Sequence, residues 1–157
     1  MKIHWKRLLL CLAIPLAVGG LSALITGGAM RDFAAIRQPP LSPPGWLFPV
    51  VWTILYLLMG LASYLVLEAG GSRQRTQEAL FVYALQLVVN FLWSPLFFSA
   101  KAYLLAFLWL LLLWGLILIT LLRFARIKPA AGWLLVPYLA WVTFAGYLNL
   151  GVWLLNR

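Results

Sequence analysis

Five stretches of this chain contain no Asp, Glu, Lys or Arg: residues 8–30, 38–67, 79–100, 102–122 and 129–156. Each is rich in Leu, Trp, Phe and Val, and the shortest has 21 residues. A helix rises about 1.5 Å per residue, so about 20 apolar residues cross the hydrocarbon core of a bilayer. The pattern predicts an all-α integral membrane protein, one domain over residues 1–157. Its bundle has five transmembrane helices, at about 8–26, 45–67, 79–98, 102–123 and 131–156. With 65% hydrophobic and 10% charged residues, an ordinary soluble domain is excluded.

The formal charge of +9 does not point to nucleic acid, because the basic residues flank apolar segments instead of clustering on one face. They set orientation. Lys2, Lys6, Arg7, Arg73, Arg75, Arg123, Arg126 and Lys128 fall on one side of the membrane, and Arg31, Arg37, Lys101 and Arg157 on the other. The positive-inside rule then puts the N-terminus in the cytoplasm and the C-terminus outside. The first span, with its basic leader, also fits a signal peptide. Its length, the lack of a clear cleavage site, and Gly19, Ala23 and Gly27 at four-residue spacing favour a retained helix with a smooth packing face. Cys11 is the only cysteine and cannot form an intramolecular disulfide.

The first loop, Gly27 to Pro44, is the longest connection and contains Pro39, Pro40, Pro43 and Pro44, which should stiffen it. Ser42 is its candidate helix cap. Helix 4 reads as a lipid-facing wall of leucines with Trp109 and Trp114. Helices 2, 3 and 5 differ. On helix 3, Tyr83, Gln86, Asn90, Trp93 and Phe97 share one helical face. Amides facing lipid would lack partners, so Gln86 and Asn90 should point inward. Trp52, Tyr56, Gly60 and Ser63 share a face of helix 2, and Tyr138, Trp141, Ala145, Leu148 and Asn149 a face of helix 5. Trp52 lies about 10 Å into its helix. With the orientation above, the three faces meet in the outer half of the bundle, beneath the first loop. An aromatic cavity with a few fixed polar groups suits a flat apolar molecule. Trp5, Trp46, Trp133 and Trp153 lie near span ends and read as interface anchors.

None of the five uncharged stretches carries an ionisable side chain other than Cys or Tyr, which argues against ion-coupled transport. The single histidine, His4, lies outside them, so histidine ligation of a metal or haem within the bundle is excluded, and so is Ser-His or carboxylate-pair chemistry.

Pro43-Pro44-Gly45-Trp46 with Trp52-Thr53 and Leu55-Tyr56, Asn90 with Trp93-Ser94-Pro95 and Phe97-Phe98, and Trp133 to Tyr138 with Trp141 and Leu148-Asn149 resemble, in order and spacing, the translocator protein family. These proteins are also called tryptophan-rich sensory proteins or peripheral-type benzodiazepine receptors. The resemblance implies five transmembrane helices, a homodimer, and binding of porphyrins, haem-like tetrapyrroles, sterols or benzodiazepine-type drugs, with no required cofactor and no metal. It also implies pocket roles for Trp52, Asn90, Trp93, Trp141, Ala145 and Leu148. From the faces above, Tyr56, Gln86, Phe97 and Tyr138 join them, with Arg31, Phe33, Arg37, Pro43 and Pro44 as a lid.

The expected function is a receptor for porphyrins in the inner membrane of a prokaryotic cell. A protoporphyrin-degrading enzyme dependent on light or oxygen, with Trp52 and Trp141 as candidate catalytic groups, would need the same pocket, as would a passive transporter. This chain departs from many members in having Asp32-Phe33 where they have Trp-Tyr, and Leu41 where they have an aromatic residue. Tyr147 is followed by no basic residue until Arg157, so the sterol-recognition pattern is not met there.

Overall fold

A computed structural model describes residues 2–157, with the side chains of residues 30–32 outside the description. Among the described residues every regular element is helical: α1 (Trp5–Phe33), α2 (Leu47–Glu68), α3 (Arg73–Ser94) with a π-helical turn (Pro95–Ser99), α4 (Tyr103–Ile127), α5 (Pro129–Leu134) and α6 (Val136–Asn156). Five segments are long and apolar enough to cross a membrane, the third joining α3 to the π-turn and the fifth joining α5 to α6. The neighbours run α1–α2–α5/α6–α4–α3 and back to α1, a closed ring.

The helix ends depart from the expected ones for local reasons. Helix α1 continues past residue 26 to Phe33. Gly27 and Gly28 cost about 1 kcal/mol each against alanine, but no proline intervenes, and Phe33 packs 5.3 Å from the rings of both Phe97 and Phe98. Helix α3 begins at Arg73, six residues before the expected start, because Ser72 Oγ caps it by accepting the Arg75 N–H at 3.2 Å. Ser42 is not a cap. Its hydroxyl donates to the Pro39 carbonyl at 2.7 Å, closing a turn inside the loop. The fifth span breaks at Leu135 between α5 and α6. Pro137 has no N–H to donate to the carbonyl of Trp133, and its ring would collide with that carbonyl.

Close approach depends on missing side chains. A β-carbon on Gly60 of α2 would lie 2.6 Å from the Cys11 carbonyl oxygen and 2.7 Å from Leu12 Cα of α1. Gly19 of α1 makes room for the Tyr56 ring, which a β-carbon there would strike. Of the expected small-residue face, Gly19 packs inward, while Ala23 and Gly27 are exposed.

Helix α4 is a wall on one side only. Ala106, Leu110, Leu113, Ile117, Thr120 and Phe124 form a buried seam, and Leu104, Leu108, Leu111 and Leu122 lie outside. Trp109 does not belong to the lipid face. It is half-buried between α3 and α4, and its indole N–H donates to the Val89 carbonyl at 2.7 Å. Trp5, Trp46 and Trp133 are exposed, as interface anchors would be.

Candidate functional site

Helix α2 packs closely on α5 and diverges from α6, so the second and fifth spans separate toward the end bearing the first loop. Aromatic side chains fill the divergence. Trp52 stacks on Tyr56 with centroids 5.6 Å apart, and meets Tyr138 edge-on at 6.2 Å. Phe48 reaches Trp141 across the gap at 5.9 Å, and Phe144 packs 5.5 Å from Trp141 on its other side. Phe48 precedes Trp52 by one helical turn and Phe144 follows Trp141 by three residues. That spacing was available to sequence reasoning, which passed over both.

Beneath this wall, buried polar groups from three helices form one chain. Tyr56 Oη donates to Asn90 Oδ1 at 2.9 Å, and Asn90 Nδ2 donates to Tyr138 Oη at 2.7 Å. Tyr138 Oη in turn donates to Gln86 Oε1 at 2.7 Å, and Gln86 Nε2 lies 4.0 Å from Met59 Sδ. Gln86 and Asn90 stand one turn apart on α3, which lets both reach Tyr138. Inward placement of the two amides follows from the absence of water in the membrane interior. Each interhelical bond of this kind contributes about 0.6 kcal/mol on average, up to about 1.7. The amides are thus engaged in joining α2, α3 and α6, and they fix the phenol rings that floor the aromatic wall.

Trp93 and Phe97 form a second cluster. Their rings stack at 5.0 Å, with Phe33, Phe98 and Tyr103 around Phe97. The Trp93 indole N–H donates to Asn149 Oδ1 at 3.1 Å, and Asn149 Nδ2 donates to the Tyr103 carbonyl at 2.8 Å. The expected binding residues therefore divide into one group at the α2–α6 divergence (Trp52, Tyr56, Tyr138, Trp141) and another between α1, α3 and α4 (Trp93, Phe97). Gln86 and Asn90 lie below the first group. Ala145 is buried and Leu148 half-buried, one and two turns beyond Trp141 on α6.

The first loop crosses this end of the bundle and is strapped to α6. The Arg37 N–H donates to Asn156 Oδ1 at 3.2 Å, and Asn156 Nδ2 donates to the Arg37 carbonyl at 2.7 Å. Tyr147 Oη donates to the Pro40 carbonyl at 2.6 Å. Pro39 fills the notch at Gly151, where a β-carbon would lie 2.6 Å from Pro39 Cβ. Of the expected lid residues, Phe33 packs inward, Arg37 is exposed with its backbone tied down, Pro43 is half-buried, and Pro44 accepts the Leu47 N–H at 3.0 Å. Arg31 lies in α1, its side chain outside the described residues. The fastening residues Pro39, Tyr147, Gly151 and Asn156 escaped sequence reasoning, since pairings over a hundred residues apart leave no local signal.

One donor in the aromatic wall stands alone. The indole N–H of Trp141 is buried and has no hydrogen-bond partner among the described residues. Buried polar groups are nearly always paired, so such a group calls for an explanation. Among the described residues no three metal-binding side chains cluster.

The TspO/MBR family model matches residues 11–154. The chain is 41% identical over 150 residues to the tryptophan-rich protein TspO of Chlorobaculum tepidum, covering 95% of each chain. It is 37% identical over 156 residues to the tryptophan-rich sensory protein of Cereibacter sphaeroides, covering 99% of this chain and 95% of the relative. It is 38% identical over 133 residues to the human translocator protein, covering 84% of this chain and 79% of the relative.

Proposed function

This chain belongs to the TspO/MBR family, and from that membership and the site's geometry we propose that it is a membrane receptor for porphyrins and similar flat hydrophobic molecules. The observation that carries the reading is the Trp141 indole N–H, buried without a partner among the described residues where α2 and α6 diverge. A donor on a ring packed against Phe48 and Phe144 suits a planar apolar ligand that carries an acceptor, such as a pyrrolic nitrogen, a carbonyl or a carboxylate. Aromatic faces add about 0.5–1.5 kcal/mol each beyond area burial. Tyr56 and Tyr138, held by Asn90 and Gln86, set the floor of the site. Porphyrin propionates would stay near the surface, where Arg37 can approach them. An exposed pair contributes about 0.2–1 kcal/mol, so Arg37→Gln should weaken binding mildly, and less as salt rises.

Titration of purified protein with protoporphyrin, followed by the shift of the porphyrin absorbance, tests the reading. Saturable binding without chemistry under steady illumination supports a receptor. A new product spectrum under light assigns the degrading activity to the same site, with Trp52 and Trp141 as its redox-active walls. Uptake into vesicles without product assigns passive transport. No saturable binding overturns all three.

The proposal includes placement in a prokaryotic inner membrane as a homodimer, with the N-terminus cytoplasmic. In a Cys11→Ser background, Gln38→Cys in the first loop should be labelled from outside the cell, and Gln74→Cys at the start of α3 should not; the reverse pattern would overturn the orientation. Native mass spectrometry in mild detergent should give a dimer, and monomer alone would remove the assembly from the proposal.

A further inference from the structure

The N-terminal end of the bundle, opposite the first loop, holds a cleft that the ligand site does not use. Its volume is about 480 Å³, and it is lined by Arg75 and Glu78 of α3 and by Arg123, Arg126 and Ile127 of α4. Three guanidinium groups face one carboxylate. Arg123 Nη1 engages Glu78 Oε2 at 3.3 Å. Neither Arg75 nor Arg126 has an acidic partner among the described residues. Glu68, the other acid at this end, is bound by His4 and Arg7. The rim is fixed in place. Ser72 caps the turn that carries Arg75, and the loop at Gly71 lies against Ile127, whose Cγ2 would be 3.6 Å from a β-carbon there.

The surface next to the cleft is apolar and exposed. Ile119 and Leu122 are exposed, and with Arg123 and Arg126 they fall at i, i+3, i+4 and i+7 on α4, one helical face. On α3, exposed Phe81 follows Glu78 by three residues. A net positive cleft thus stands at the head of two lipid-facing helical stripes, at the depth where the spans end. Guanidinium groups donate forked hydrogen bonds to phosphate oxygens, and their stems lie along apolar surface with the charge in the headgroup layer.

We propose that this cleft is a binding site for the phosphodiester headgroup of an anionic phospholipid, held by Arg75 and Arg126, with its acyl chains along the apolar faces of α3 and α4. Glu78 opposes the phosphate and positions Arg123.

The test is native mass spectrometry of the full chain in neutral detergent with phosphatidylglycerol, phosphatidylcholine, or glycerophosphoglycerol, the deacylated headgroup. Phosphatidylglycerol should be retained in preference to phosphatidylcholine. Arg75→Gln with Arg126→Gln should lower its retention about 30-fold, following the worth of two basic residues near anionic lipid, and leave phosphatidylcholine unchanged. Lys2→Gln with Lys6→Gln removes the same charge outside the cleft and should change little. Glu78→Gln should tighten phosphatidylglycerol, a gain that a folding defect cannot imitate. Competition by glycerophosphoglycerol would identify the phosphodiester alone as sufficient, and its failure to compete would identify the acylated lipid as the ligand; both outcomes keep the site. Equal retention of the two lipids, or an equal loss in the lysine variant, would overturn it.

Discussion

Gly60→Val should be the most damaging single substitution for the fold. The atoms it would strike are backbone, the Cys11 carbonyl oxygen at 2.6 Å and Leu12 Cα at 2.7 Å, and backbone inside a helix cannot turn aside as a side-chain tip can. Helix α1 must move away from α2, and the Gly19–Tyr56 contact on the same seam moves with it. Overpacking of a filled interior costs about 1–3 kcal/mol. Here the rigid obstacle places the loss at or above the top of that range, and the displaced Tyr56 also loses its bond to Asn90. Thermal unfolding in detergent, followed by helicity, should show a clearly lower midpoint than the parent. Gly20→Val, with nothing within 4 Å of its β-carbon, should leave the midpoint within a few degrees. Equal midpoints for the two variants would mean that α1 and α2 do not approach as described.

The largest effect on ligand should come from Trp141→Ala. That change removes the ring between Phe48 and Phe144 together with the unpaired donor. Truncating a central aromatic anchor commonly costs 2 kcal/mol or more, so protoporphyrin should bind at least about 30-fold more weakly. Absorbance of the porphyrin is the appropriate readout, since removing a tryptophan alters the protein's own fluorescence. Trp141→Phe keeps a flat wall and loses the donor, so it should fall between the parent and Trp141→Ala. Trp133→Ala, at a side chain 74% exposed, should not change affinity. Trp109 would be a poor control, because its indole holds the Val89 carbonyl. Equal weakening by Trp133→Ala and Trp141→Ala would place the ligand elsewhere.

The five spans were legible because a charge inside a bilayer is expensive, which leaves each span as an uninterrupted uncharged run. The same reasoning turned Gln86 and Asn90 inward, and the helical spacing of Trp52, Tyr56, Tyr138 and Trp141 put each on an inner face. The sequence did not tell how those groups would be used. Helical spacing alone leaves Asn90 free to orient a ligand, yet its amide links two phenols from different helices; such pairing depends on a three-dimensional register that one helix cannot display. Helix ends were misplaced where a cap or a distant ring decided them, as with Ser72 for α3 and Phe97 for the last turn of α1. Trp109 was placed outward because a leucine-rich helix gives weak angular information: with apolar residues all round, only the long reach of an indole to a neighbour's carbonyl distinguishes the faces.

The strap across the first-loop end bears on time. Pro39 in its notch, the paired bonds of Arg37 and Asn156, and the Tyr147 hydroxyl on the Pro40 carbonyl must all release before that loop lifts. Of these residues Tyr147 also stacks on Phe144 of the aromatic wall, with centroids 6.1 Å apart, whereas the Pro39 notch and the Arg37–Asn156 pair join loop to helix. The strength of those two fastenings slows entry and escape by the same factor and leaves the equilibrium between free and occupied states where the wall sets it. For any molecule held between α2 and α6, residence is longer than its affinity alone would give, and a brief fall in its free concentration would pass before the site could empty.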